Sequence, residues 1–170
     1  MVRTAVLVSG GGTNLQAILA SKLFGEIQNC HIVAVISSNQ NAYALDRARA
    51  ANLDTSVVDI STFPTKRNFN TALAQKLKDL DVALVVLAGF SQDMLQRPII
   101  KEYENRIINV HPSLFPAFCD EGCQGEALHQ MVLDQGVKIT GATVYFVAEE
   151  MAQRKECVRC ICILGYFVDR

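Results

Sequence analysis

Thr4-Ala-Val-Leu-Val-Ser9 is a short, β-rich apolar run that stops at Gly10-Gly11-Gly12-Thr13-Asn14. Beyond the turn, Leu15, Ile18, Leu19 and Leu23 recur at helical spacing, so a helix follows it. Strand, glycine turn, helix is the layout in which backbone N–H groups and the helix dipole hold a phosphate. Thr13 or Asn14 is the expected N-cap of that helix. Two nucleotide-binding patterns fail on this stretch. The dinucleotide fingerprint wants a third glycine where Leu15 stands, and an acid closing the second strand where the chain has Ser37-Ser38-Asn39. The nucleoside-triphosphate loop would end in Gly-Lys-Ser/Thr, which is absent. The favoured reading is a phosphomonoester site.

The rest of the chain repeats the alternation. Residues 31–36 read as a second strand, and 42–51 as a helix with Leu45, Ala48 and Ala51 inward. Residues 55–58 are a short third strand. Phe63-Pro64-Thr65-Lys66 then opens a helix to residue 80 in which Phe69, Leu73 and Leu77 share one face. Residues 81–88 are almost wholly apolar, as a central parallel strand covered on both faces requires, and they end in Gly89-Phe90. Pro98 breaks 94–103 into one turn and a short helix. A strand over 107–110, a helix over 126–135 closed by Gly136, and a strand over 142–147 complete the pattern. Strands alternating with helices predict an α/β fold: a three-layer, Rossmann-like, mostly parallel sheet flanked by helices.

Arg106-Ile-Ile-Asn-Val-His-Pro-Ser-Leu-Phe-Pro116 carries the candidate chemistry. A strand is rigid, and a histidine just past its carboxyl end lies where open α/β sheets keep their ligands. His111 can exchange a proton near neutral pH, and Asn109 can donate a hydrogen bond to a developing oxyanion.

Apolar residues make up 50% of the 170 and charged residues 19%, which predicts a globular chain with a substantial core. A net charge of −1 gives no general attraction to nucleic acid or to an anionic membrane, so any anionic ligand must be held locally. No apolar run is long enough to span a bilayer. Six cysteines without a secretion signal suggest reduced thiols in a cytoplasmic protein. Cys157-x-x-Cys160-x-Cys162 lacks a fourth ligand, and His31, His111 and His129 are scattered, so no metal site is expected.

Three stretches together resemble the phosphoribosylglycinamide formyltransferase family of de novo purine biosynthesis and one-carbon metabolism. They are Leu7-Val-Ser-Gly-Gly-Gly-Thr-Asn-Leu-Gln-Ala17, Val85-Val-Leu-Ala-Gly-Phe90 and Ile108-Asn-Val-His-Pro-Ser-Leu-Phe-Pro116. Gly141-Ala-Thr-Val-Tyr-Phe-Val147 is similar to the strand that follows the family's catalytic loop. The resemblance implies the formyltransferase fold and transfer of a formyl group from 10-formyltetrahydrofolate, a co-substrate, to the amino group of glycinamide ribonucleotide. It implies that Gly12, Thr13 and Asn14 hold the substrate phosphate. It implies folate contacts from Lys66, Phe90, Ser91, Met94, Leu95 and Asn109, and catalysis by Asn109 and His111. A monomer or homodimer acting on small molecules in the cytoplasm is the corresponding expectation.

Departures from the family pattern lie towards the end of the chain. Family members place an aspartate after the 142–147 strand, where it orients the histidine; that position falls on Ala152, with Glu149 and Glu150 nearby. Losing such a carboxylate costs roughly 10²–10⁴ in rate. The loop after His111 carries Ala127 and His129 where the family has two histidines. The expected organisation is therefore a formyltransferase domain over 1–151 and a divergent tail over 152–170. The tail reads as a replaced or frame-shifted ending of unknown order, and apolar sheet surface is uncovered unless residues 163–168 substitute for the family's closing strand. The alternative function is a catalytically impaired nucleotide- or folate-binding member of the same family.

Overall fold

A computed structural model describes residues 1–118, 125–148 and 160–167. The chain forms two compact units, 1–108 with 147–156 and 109–146 with 157–170.

The first unit holds strands β1 (Val2–Val8), β2 (Cys30–Ser37), β3 (Thr55–Val57) and β4 (Leu84–Leu87), and helices α1 (Thr13–Leu23), α2 (Ala44–Ala50), α3 (Lys66–Asp79) and α4 (Arg97–Glu102). The strand order is β3-β2-β1-β4 with every pairing parallel, as short strands separated by helical crossovers require. Beside β4 the backbone of Val85 donates to Arg106 O at 2.8 Å. Val6, Val8, Leu15, Ile32, Val35, Ala44, Ala48 and Ala88 form one buried cluster in which α1 and α2 meet the sheet. The helical spacing of Phe69, Leu73 and Leu77 in α3 buries all three side chains. Thr65 caps α3, its hydroxyl accepting from Asn68 N at 3.1 Å.

Strand β5 (Ile107–His111) begins in the first unit and ends in the second. The second unit adds α5 (Gly125–Asp134), β6 (Ile139–Phe146) and β7 (Cys160–Phe167). Strand β6 alternates, with Thr143 and Tyr145 buried and Val144 and Phe146 half-buried. Strand β7 pairs antiparallel with β6, from Ile139 opposite Phe167 to Tyr145 opposite Cys160. The tail, whose order the sequence left open, thus supplies a sheet strand over Cys160–Phe167. Residues 152–159 and 168–170, Cys157 among them, lie outside the described residues.

Three local expectations need correction. Leu23 is 83% exposed, because it is the last residue of α1 and the helix ends before that position can turn inward. Ala51 is exposed for the same reason, one residue past the end of α2. The N-cap of α1 is Gly12, left-handed at φ 76°, rather than Thr13 or Asn14, and no side chain caps this end.

Candidate active site

The glycine turn of the first unit is built from its backbone outward. Helix α1 opens with Gln16 N donating to Gly12 O at 2.9 Å. The first-turn N–H groups of a helix have no intrahelical acceptor, and among the described residues no side chain caps them. Thr13 and Asn14 are exposed beside these donors. Gly12 is required twice over. Its φ is left-handed, and a Cβ there would lie 2.6 Å from Ala44 Cβ and 2.8 Å from Ala44 Cα. Around it, Ala44 N donates to Gly10 O at 3.0 Å, and Arg47 Nε donates to Gly11 O at 2.8 Å. The Arg47 guanidinium also donates to Gln16 Oε1 at 3.1 Å and lies 5.1 Å from the Tyr43 ring centre. A cation therefore stands beside the turn, a residue that sequence spacing did not single out.

The other positions assigned to folate in this unit fall into two kinds. Lys66 is exposed at the first position of α3, with its ammonium free to reach outward. Phe90 and Leu95 are buried at 4% and 3% exposure, so they shape the 90–95 segment from within. Ser91, which precedes a 3-10 turn over Gln92–Met94, and Met94, which ends it, are half-buried.

Asn109 and His111 belong to the second unit. The backbone N–H of Val110 donates to Asn109 Oδ1 at 2.8 Å. An N–H can only donate, so this contact fixes which end of the carboxamide is oxygen. Nδ2 then donates to Tyr145 Oη at 2.8 Å, and its second hydrogen has no partner among the described residues. His111 Nε2 lies 2.9 Å from Phe118 O. A carbonyl only accepts, so Nε2 carries the proton and Nδ1 is left as the nitrogen with an open lone pair.

The ring is held from its face too. Phe115 lies 5.0 Å from the His111 ring centre and 5.1 Å from that of Tyr145. The loop is pinned beneath by buried hydroxyls: Thr143 Oγ1 donates to Ser113 O at 2.8 Å and accepts from Phe115 N at 3.2 Å. Ser113 Oγ donates to Ala117 O at 2.7 Å. Phe118, left-handed at φ 56°, packs against Leu128 and Val132 of α5. Tyr145 and Phe118 were missed by sequence reading. Alternation sets Tyr145 with Thr143 opposite Val144 and Phe146 without saying which set faces inward, and nothing in the sequence marks Phe118, which acts through its carbonyl.

Ala127 and His129 sit exposed on α5. Ala152, Glu149 and Glu150, where an orienting carboxylate was sought, lie outside the described residues. Among the described residues no three His, Cys, Asp or Glu side chains gather as a metal would require, and no helix is long and apolar enough to cross a membrane.

A parallel α/β sheet with a glycine turn after β1, and an amide–imidazole pair at the end of β5, matches the formyl transferase family model over residues 2–153. The chain belongs to the formyl transferase family. Within it, the chain is similar to phosphoribosylglycinamide formyltransferase of Haemophilus influenzae. The two are 35% identical over 151 residues, which are 89% of this chain and 68% of that protein. It is 39% identical over 150 residues to the trifunctional purine biosynthetic protein adenosine-3 of Gallus gallus, covering 88% of this chain and 14% of the relative. The chain thus spans a small part of the trifunctional relatives. Among solved structures, glycinamide ribonucleotide transformylase 1 from Symbiobacterium toebii superposes with a TM-score of 0.85 at 38% identity. That match covers 100% of this chain and 75% of the other.

Proposed function

We propose that this chain transfers a formyl group from 10-formyltetrahydrofolate to the primary amine of glycinamide ribonucleotide, in the cytoplasm. The observation that carries the reading is the orientation of Asn109, whose carboxamide is locked with one Nδ2 hydrogen on Tyr145 and the other uncommitted. An N–H held in that way can meet negative charge as it develops on a formyl oxygen.

The chemistry needs little else. The neutral amine attacks the formyl carbon, a C–N bond forms, and the carbonyl electrons move onto oxygen. Asn109 Nδ2 donates to that oxygen. Collapse restores the carbonyl, breaks the bond to the folate nitrogen, and requires a proton to travel from the attacking amine to the departing one. His111 suits this transfer because Nε2 is committed to Phe118 O and Nδ1 is the nitrogen left to take and return the proton. The substrate phosphate is assigned to Gly12, Thr13 and Asn14, where uncapped helix N–H groups favour an anion. Lys66 and the 90–95 segment are assigned to the folate.

The comparisons lend no support to the alternative of an impaired binding protein. A steady-state assay with both substrates tests the reading directly, and turnover within the ordinary enzyme span of roughly 1–10³ s⁻¹ is the expected result. Binding of the ribonucleotide without formyl transfer would overturn it.

A further inference from the structure

Asn70 is an unusual residue to find where it is. It sits inside α3, where asparagine is a poor helix former, and its side chain is fully buried. A buried carboxamide must be satisfied, and this one makes three hydrogen bonds. Nδ2 donates to Lys66 O at 2.7 Å and to Met94 O at 2.8 Å, while Oδ1 accepts from Gln96 N at 2.8 Å. One side chain therefore grips the backbone on both sides of Leu95 and ties it to the first turn of α3. Those are the two pieces of the first unit that the folate reading assigns to the formyl donor, Lys66 and the segment from Phe90 to Leu95.

We infer that Asn70 is a positioning residue for the formyl donor, holding Lys66 and the 90–95 segment in one arrangement through the three hydrogen bonds of its buried side chain. The inference rests on the folate assignment made above. Chemistry selects the residue type. Two donors and an acceptor are needed on one short side chain: serine is too short to span the three partners, and an aliphatic residue would take from Met94 O and Gln96 N the side-chain partner that Asn70 gives them. Asn70 does not touch the donor itself, so its removal acts on donor binding and leaves the glycine turn's phosphate affinity alone.

The test compares the unaltered chain with Asn70→Ala and Asn70→Ser, using 10-formylfolate and glycinamide ribonucleotide as separate probes in calorimetry. In the unaltered chain both should bind, and absence of 10-formylfolate binding there would overturn the folate reading and this inference with it. In a folded variant, the Kd for 10-formylfolate should rise about tenfold or more while that for the ribonucleotide stays within about twofold. In turnover, KM for the donor should rise with kcat changed far less. Equal weakening of both ligands, or unchanged 10-formylfolate affinity, would show a merely structural side chain and overturn the inference. A measurement without substitution covers the case in which neither variant folds. Saturating 10-formylfolate should slow hydrogen exchange at the Gln96 amide, inorganic phosphate should not, and an amide indifferent to both would also sink the idea.

Discussion

Nε2 of His111 stands 2.9 Å from the carbonyl oxygen of Phe118, so a backbone group seven residues further along the chain decides which nitrogen of the imidazole carries the proton. Phe118 holds that carbonyl from a left-handed backbone conformation, anchored by packing on Leu128 and Val132. For a bulky residue the left-handed region costs about 1–2 kcal/mol, which the rest of the loop must offset. Nitrogen-15 NMR of the neutral ring should accordingly report the Nε2–H tautomer at His111. Observation of the Nδ1–H tautomer would reverse the proton-transfer assignment.

Tyr145 is the partner that orients the Asn109 amide. Its hydroxyl accepts from Asn109 Nδ2 at 2.8 Å, and the residue is 1% exposed. Tyr145→Phe keeps the ring against Phe115 and removes the hydroxyl. We expect stability to fall in urea unfolding by at least about 0.5–1.5 kcal/mol, the net worth of the hydrogen bond to Asn109. Formyl transfer should slow by roughly tenfold, less than the roughly 10²–10³-fold loss expected for Asn109→Ala, which deletes the oxyanion donor itself. Equal losses in the two variants would mean that the phenol takes part directly.

The sequence carried most of this architecture because its periods are clean. The run before Gly10 and the Phe69/Leu73/Leu77 face of α3 each bury the residues that their spacing selects, whereas the β6 alternation left open which set is buried, and the structure buries Thr143 and Tyr145. It was weakest where an element ends. Helical spacing places Leu23 and Ala51 inward, yet α1 and α2 stop at Leu23 and Ala50, and periodicity contains no stop signal for either. Three consecutive glycines also hide which one turns left-handed. That choice falls on Gly12 because α2 comes so close there, a contact between residues more than thirty positions apart. The site shows the same division. Asn109 and His111 were legible as side chains with chemistry, whereas the groups that orient them, Phe118 O and Tyr145 Oη, depend on loop geometry and strand register.

Tyr103 supplies a pH test. Burial is the main cause holding its phenol pKa above the ordinary value of 10, against the lowering influence of Arg106, whose guanidinium lies 4.9 Å from the ring centre. A phenol that ionises more readily in the unfolded chain leaves stability intact below pH 10 and subtracts from it as pH rises further. Thermal unfolding followed from pH 8 to 11 should therefore show a falling alkaline limb that is shallower in Tyr103→Phe. Parallel limbs would assign the alkaline loss to other groups.

Gly12→Ala should separate binding from folding at the glycine turn to which the proposed function assigns the substrate phosphate. The added methyl would sit 2.6 Å from Ala44 Cβ and 3.3 Å from Arg47 Cδ, at a φ of +76°. Left-handed alanine costs about 1–2 kcal/mol, and overpacking adds about 1–3 kcal/mol. The nearest atoms belong to a buried helix residue, so the turn is the part that must move. Moving it disturbs the Arg47 bond to Gly11 O and the N–H groups that open α1. The expected result is a loss of about 2–5 kcal/mol in unfolding free energy together with a raised KM for the phosphorylated substrate. In the fraction that remains folded, KM for the formyl donor should change little. A variant with full stability and unaltered KM would show that α2 yields instead, and that the left-handed turn at Gly12 is not what holds the phosphate.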